Sequence, residues 1–274
     1  MDEVLHAAIL GLVQGLTEFL PVSSSAHLIL VPRFLGWNDP FVDTAAFDVM
    51  LHVGTLIALL LYFWRDILRL IGAFFGSLRD RSLGTDPERR LAWLLLVSVV
   101  PAALLGAALE SFFDTFFRER VGWIAIFLAT GAALLWLAER WGSQRRGVAA
   151  LRFPEALAIG VAQALALFPG MSRSGITIGA GLFLGLERAA AARFAFLMGI
   201  PVIAGAGLLK GRELASTGIE GHGLALVVGV VVSAVSGLGA IAFLLAYLRR
   251  NSTAIFIAYR VVLAGFVVVL LLAR

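Results

Sequence analysis

Apolar residues occur along this chain in blocks of roughly twenty, separated by short polar or arginine-rich stretches. Six blocks read as uninterrupted helical spans, at about 45–64, 91–109, 121–139, 187–209, 222–248 and 253–273. A helix rises 1.5 Å per residue, so about twenty apolar residues cross a hydrocarbon core of about 30 Å. Two further blocks, at about 4–31 and 153–183, are interrupted by Pro, Gly and hydroxyl residues. Broken segments at membrane depth are tolerated only where protein or a wet cavity covers the freed backbone groups. Strand-forming alternation is absent, which argues against a membrane barrel. The pattern predicts an all-α polytopic membrane protein, with residues 1–274 forming one membrane domain.

Loop charge then predicts a path. The segment from Arg65 to Arg90 carries six arginines, that from Arg140 to Arg152 carries four, and Arg249 and Arg250 mark a third basic loop. The 110–120 turn is mixed, with Glu110, Asp114 and Glu119 offsetting Arg118 and Arg120, and the 210–222 loop is mixed too. Basic loops belong on the cytoplasmic side. That assignment closes only if each interrupted segment leaves the membrane on the side it entered, the first from outside and the second from the cytoplasm. Both are therefore predicted to be re-entrant helical hairpins. An internal match agrees with this path. Shifted by 149 residues, GLVQGLTEFLPVSSSAH (from Gly11) lies over GVAQALALFPGMSRSGI (from Gly160). Each copy precedes three spans, an odd number of crossings, so the second copy is inverted. The repeats are placed at about 4–139 and 153–273. Inverted repeats bring their broken helices together near the midplane, where substrate or ion sites form.

Composition narrows the function. The chain is 60% hydrophobic and 15% charged, against about 25% charged in a soluble domain, and its mean hydropathy is +0.95. The net charge of +4 arises from arginines in short loops, with no basic, aromatic-rich stretch outside the spans, so nucleic acid is not an expected partner. The absence of cysteine excludes disulfides, thiolate ligands and cysteine nucleophiles. The opening MDEVLHAAIL is acidic where a secretory signal would be basic, so the first apolar block is predicted to belong to the mature fold.

The interrupted blocks hold the candidate chemistry. Gln14 and Glu18 are four apart and share a helix face; Gly11 and Gly15, likewise four apart, allow close helix contact. A carboxylate at the centre of a span costs about 2.5–3.5 kcal/mol, which a function or a partner must offset. Pro21 breaks the helix, Ser23 to Ser25 can cap the freed groups, and His27 is the one side chain here whose unperturbed pKa lies near neutrality. In the second block, FPGMSRSGIT ends one helix at Pro169 and Gly170 and begins another. Free N–H groups and the positive helix end, with the hydroxyls of Ser172, Ser174 and Thr177 and the guanidinium of Arg173, describe a cradle for phosphate. Asp48 and His52 read as a second polar layer or a pore-lining pair. Arg65 and Asp66 read as a span anchor, and Glu187, Arg188 and Arg193 as paired or solvated groups near the basic side. Arg260, inside the last span, requires a partner that the sequence does not name.

With QGLTEFLPVSSSAHL from Gln14, PGMSRSGIT from Pro169, FDVMLHVGTLIALLLYFWRD from Phe47 and FIAYR ending at Arg260, the chain resembles the undecaprenyl-diphosphate phosphatase family linked to bacitracin resistance. The resemblance implies a hydrolase of the bacterial inner membrane that removes the terminal phosphate of a C55 isoprenoid diphosphate. That reaction recycles the lipid carrier for peptidoglycan synthesis, at a site open to the periplasmic side and dependent on a divalent cation. It places the acidic motif on Gln14 and Glu18, the serine–histidine segment on Ser24 and His27, and phosphate binding on Ser172, Arg173, Ser174 and Thr177. Glu18 would activate the nucleophile, or hold Mg²⁺ or Ca²⁺ with Gln14, since hard cations prefer oxygen ligands. Some members carry Glu where this chain has Gln14, which leaves one carboxylate in the motif. Ser24, His27 and an activated water all remain candidates for the nucleophile. Ser24 is preferred because a serine three residues before a histidine in a tight turn can reach it. Besides the lipid and the bilayer, a second copy of the chain is a compatible partner. The rival reading, from the repeats and buried charges alone, is a secondary transporter or lipid flippase.

Overall fold

The computed structural model describes residues 2–37, 39–217 and 221–273; the side chains of 110–115, 118, 119 and 213–217, including Glu110, Asp114, Arg118 and Glu119, lie outside the described residues. Eleven α-helices form: α1 (Asp2–Phe19), α2 (Ser24–Leu35), α3 (Ala45–Tyr62), α4 (Trp64–Asp80), α5 (Pro87–Glu119), α6 (Val121–Trp141), α7 (Phe153–Ala164), α8 (Arg173–Phe183), α9 (Arg188–Thr217), α10 (Gly223–Leu248) and α11 (Ala254–Leu272). Among the described residues no strand forms, and one isolated bridge joins Arg146 to Leu186. Among the described residues six helices are long and apolar enough to cross a membrane: Ala45–Tyr62, Pro87–Leu109, Val121–Trp141, Arg188–Arg212, Gly223–Leu248 and Ala254–Leu272. They coincide with the six predicted spans within a few residues, and the chain is an all-α polytopic membrane protein.

The two interrupted blocks become helix pairs. α1 meets α2 at a break after Phe19, and α7, extended by a 3₁₀ turn at Leu165–Leu167, meets α8 after Phe168. The 12 residues of α2, the 12 of α7 and the 11 of α8 give lengths of only about 16–18 Å, short of the hydrocarbon thickness. Contacts join the two ends of each pair. Glu3 at the start of α1 binds His222 at 2.8 Å, and His222 stacks on Phe41 beyond the end of α2. At the other end, Arg146 binds both Glu155 at the start of α7 and the Leu184 carbonyl just after α8.

That second end gathers the basic segments. Arg90 donates to the Leu151 carbonyl at 2.6 Å, and Arg188 pairs with Glu139, which also accepts from the Thr253 hydroxyl at 2.8 Å. Asp66, expected with Arg65 to anchor a span, takes Arg69 and Arg193.

Three expected connections are corrected. Residues 65–90 are mostly helix α4, not loop; its apolar positions Trp64, Leu68, Ile71, Phe75 and Leu78 recur at intervals of three and four and face outward. Such a helix suits a membrane surface, and its charged residues hid it from a search for apolar blocks. The 110–120 turn is the last part of α5, and α9 runs past the expected end at 209 to Thr217.

α1 lies against α10 with its small residues at the contact. A Cβ at Gly11 would stand 3.1 Å from the Gly229 carbonyl carbon, and one at Gly15 would stand 2.7 Å from the Gly237 nitrogen. Both glycines are therefore required by the approach of two backbones, the packing mode of membrane helices. Gly15→Leu is expected to lower the thermal midpoint of the detergent-purified protein, since overpacking costs about 1–3 kcal/mol. Gly265→Ala, at a position with open space around it, should leave the midpoint unchanged or raise it. A Gly15→Leu protein that melts with the parent would remove the close-contact account.

Candidate active site

The break after α1 points Glu18 into the protein, and the start of α8 points Arg173 at it. Glu18 is 6% exposed. Its Oε1 pairs with the Arg173 guanidinium across 155 positions of sequence. Its Oε2 accepts the Ser24 hydroxyl at 2.6 Å and the Gln14 amide at 3.1 Å, and His52 Nε2 lies 3.3 Å away. Four donors thus surround one buried carboxylate, which compensates the loss of its hydration. Gly199 on α9 lies against the guanidinium; a Cβ there would sit 3.5 Å from the Arg173 central carbon, an ordinary contact. Glu18, Arg173, Ser174, Leu59, Phe196 and Gly199 line a narrow cleft at this point.

Backbone strain shapes both breaks in the same way. Ser23 (φ 78°) and Ser172 (φ 67°), related by the 149-residue shift, hold conformations rare for residues with a Cβ. The hydroxyls at the two breaks bond across them: Ser23 Oγ accepts from the Gly170 amide at 3.2 Å, and Ser174 Oγ donates to the Leu20 carbonyl at 3.0 Å. Ser172 Oγ caps α8 by accepting from the Gly175 amide at 3.1 Å. Thr177, by contrast, donates to the Arg173 carbonyl within its own helix at 2.7 Å, so its hydroxyl secures the turn that carries Arg173.

The partner of Arg260 is now visible, and it is not an acid. The side chain is fully buried and its guanidinium donates to the carbonyls of Gly170 at 2.9 Å and Met171 at 3.0 Å. Longer bonds reach Leu128 at 3.3 Å, Phe127 at 3.4 Å and Pro21 at 3.5 Å. One cation therefore satisfies acceptors freed at both helix breaks. No charge rule could anticipate backbone partners; the FIAYR segment was the only signal.

His27 does not serve Ser24. Its Nδ1 lies 2.7 Å from the Ser23 carbonyl, so that nitrogen carries the proton, and Nε2 meets the Tyr259 hydroxyl at 2.7 Å. Ser24 turns to Glu18 because a charged, buried acceptor binds a hydroxyl more strongly than an imidazole does. The structure thus brings together Gln14, Glu18, Ser24, Arg173 and Ser174, with Ser172 and Thr177 behind them and His27 on the side of Tyr259. It adds His52, which the sequence reading left in a separate polar layer, and Tyr259, which it left without a role.

Among the described residues no group of three or more His, Cys, Asp or Glu side chains could hold a metal ion. Gln14 Oε1, however, is buried with no hydrogen-bond partner among the described residues, beside the Glu18 carboxylate. An amide oxygen without a partner and a carboxylate are donor types that a hard cation takes, although it is the Gln14 nitrogen, not Oε1, that faces Glu18.

These features define a class: a polytopic membrane protein with an acid, a guanidinium and hydroxyls assembled where two interrupted helices meet. The chain belongs to the family described as bacitracin resistance protein BacA, whose family model matches residues 7–266. It is 48% identical over 278 residues to the undecaprenyl-diphosphatase of Thermomicrobium roseum, covering 98% of each chain. It is also 48% identical to the proteins of the same name from Pelobacter propionicus, covering 98% of this chain and 97% of that one, and Geobacter sulfurreducens, covering 99% and 100%.

Arg260→Met should loosen both breaks together, because each orphaned carbonyl costs about 1–3 kcal/mol. Hydrogen exchange measured by mass spectrometry is expected to rise around residues 20–24 and 169–173 while α10 stays protected. Exchange unchanged at both segments would show that the guanidinium is not what holds them.

Proposed function

We propose that this chain hydrolyses undecaprenyl diphosphate to undecaprenyl phosphate and phosphate, so recycling the lipid carrier used in peptidoglycan assembly. The observation that carries the reading is the Ser24 hydroxyl, 2.6 Å from the Glu18 carboxylate, with Arg173 paired to the same group. Near-complete coverage of relatives named undecaprenyl-diphosphatase supplies the substrate.

In this mechanism Glu18 takes the proton of Ser24, and Ser24 Oγ attacks the terminal phosphorus. The bond from that phosphorus to the bridging oxygen breaks, and the lipid phosphate leaves. Water then hydrolyses the phosphoserine, releasing inorganic phosphate. Arg173, Ser172, Ser174 and the amides at the start of α8 stabilise charge on the transferring group, the largest contribution expected of such a site. Thr177 keeps the first turn of α8 in place. His27, with Nδ1–H fixed on Ser23 and Nε2 toward Tyr259, is the general base for the entering water. A divalent cation, Mg²⁺ or Ca²⁺, would be held by Gln14 and Glu18, and it would neutralise diphosphate oxygens.

The same reading makes the two helix pairs re-entrant hairpins of inverted repeats, supported by the contacts that link Glu3 to Phe41 through His222 and Glu155 to the Leu184 carbonyl through Arg146. Arginines gathered at the α7–α8 end support a cytoplasmic position for that end. The site then opens to the periplasmic side of the bacterial inner membrane, with the isoprenoid tail in lipid.

Phosphate release by the purified protein in detergent, where no gradient exists, tests the proposal against a transporter. The parent should release phosphate from undecaprenyl diphosphate and lose that activity in EDTA. Ser24→Ala and Arg173→Ala should each lower turnover by about 10²–10³-fold or more. Full turnover in Ser24→Ala would exclude that serine as nucleophile, and no release by the parent would reject the hydrolase reading.

A further inference from the structure

The proposed mechanism asks Arg173 to do two things. In the structure its guanidinium sits on Glu18; during the reaction it must face the transferring phosphate. A carboxylate released by its main cation would turn toward any other donor, and its aim at Ser24 would be lost. Another group has to hold it.

His52 is placed to do so. Its Nδ1 is 2.7 Å from the Asp48 carbonyl, an acceptor, so this nitrogen carries a proton and fixes the ring plane. Its Nε2 faces Glu18 Oε2 at 3.3 Å, the same oxygen that accepts the Ser24 hydroxyl; with Nδ1 already carrying a proton, the ring donates there as the imidazolium. The ring belongs to α3, outside both helix breaks. Thr55 steadies its turn by donating to the His52 carbonyl at 2.8 Å, and Ser233 of α10 donates to the neighbouring Leu51 carbonyl. The charged groups acting on the ring are Glu18 from α1 and Arg173 from α8. Asp48 lies one turn before it on α3, and the Arg193–Asp66 pair of α9 and α4 closes the far end of that helix.

We propose that His52 is a positioning residue for the hydrolysis: it keeps the Glu18 carboxylate directed at Ser24 while Arg173 transfers to the phosphate. The proposal rests on the reading of the site as a phosphatase. It makes the acid a group held by a guanidinium that moves and by an imidazole that stays, beside the Gln14 amide on the same oxygen.

The test uses the full chain in detergent with undecaprenyl diphosphate, measuring kcat, KM and thermal midpoint for the parent and for His52→Leu, His52→Asn and His52→Gln. A hydrogen bond to a charged group is worth about 1.5–3 kcal/mol, so His52→Leu should lower kcat about 10–100-fold, with KM within about threefold of the parent. Gln donates from nearly the same reach and should restore kcat to within about threefold, whereas the shorter Asn should not. A merely structural role would alter the midpoint without separating Asn from Gln. Parental kcat in His52→Leu would overturn the proposal. If His52→Leu fails to fold, the amide pair decides: a fast Gln variant and a slow Asn variant support it, and equal rates overturn it. A parent that releases no phosphate would instead reject the phosphatase reading on which the proposal stands.

Discussion

A buried carboxylate joined to a guanidinium from the other half of the chain is the interaction on which this structure depends. Neither charge is tolerable alone at that depth; removing one partner of a buried pair costs about 3–5 kcal/mol. Glu18 and Arg173 therefore fix the relative position of α1 and α8, and with them the hydroxyls at each helix break. The pair also loads the site in advance. An acid surrounded by Ser24, Gln14, His52 and Arg173 has its geometry established before any phosphate arrives, and preorganisation of this kind is what catalysis by electrostatics requires.

The breaks themselves are built as a matched pair with unmatched chemistry. Two serines in left-handed conformations, each costing about 1–3 kcal/mol, turn the chain at equivalent places. Hydroxyl-to-backbone bonds run both ways between them, and Arg260 collects carbonyls from both. Yet the 149-residue shift sets Leu167 opposite Glu18 and Ser24 opposite Arg173. One break supplies the acid and the hydroxyl on it, and the other supplies the cation.

The membrane spans were legible because their physics is local. Twenty apolar residues in succession have one stable arrangement in a bilayer, and each span could be read without its neighbours. Where stability came from a face instead of a length, the reading failed. α4 distributes its apolar residues along one stripe among Arg65, Asp66, Arg69, Arg79 and Asp80, so it looked like a basic loop. The site divided along the same line. Gln14, Glu18, Arg173 and the serines stood out as polar groups in apolar surroundings, whereas the pairing of Ser24 with His27 was inferred from spacing and was wrong. Spacing along a helix states which residues share a face, not which acceptor in the fold competes for a hydroxyl.

By itself, then, the order of residues determined that the chain is a multi-pass membrane protein, with six helices among the described residues long and apolar enough to cross, that two further segments are broken, and that the costly polar groups cluster at those breaks. Only the tertiary structure decided their partners: Glu18 for Ser24, Tyr259 for His27, His52 as a donor at the acid, and backbone carbonyls for Arg260. The physical reason is that burial is read from composition within one helix, while hydrogen bonds to buried groups are set by whichever donors and acceptors distant helices bring within 3 Å or so of one another.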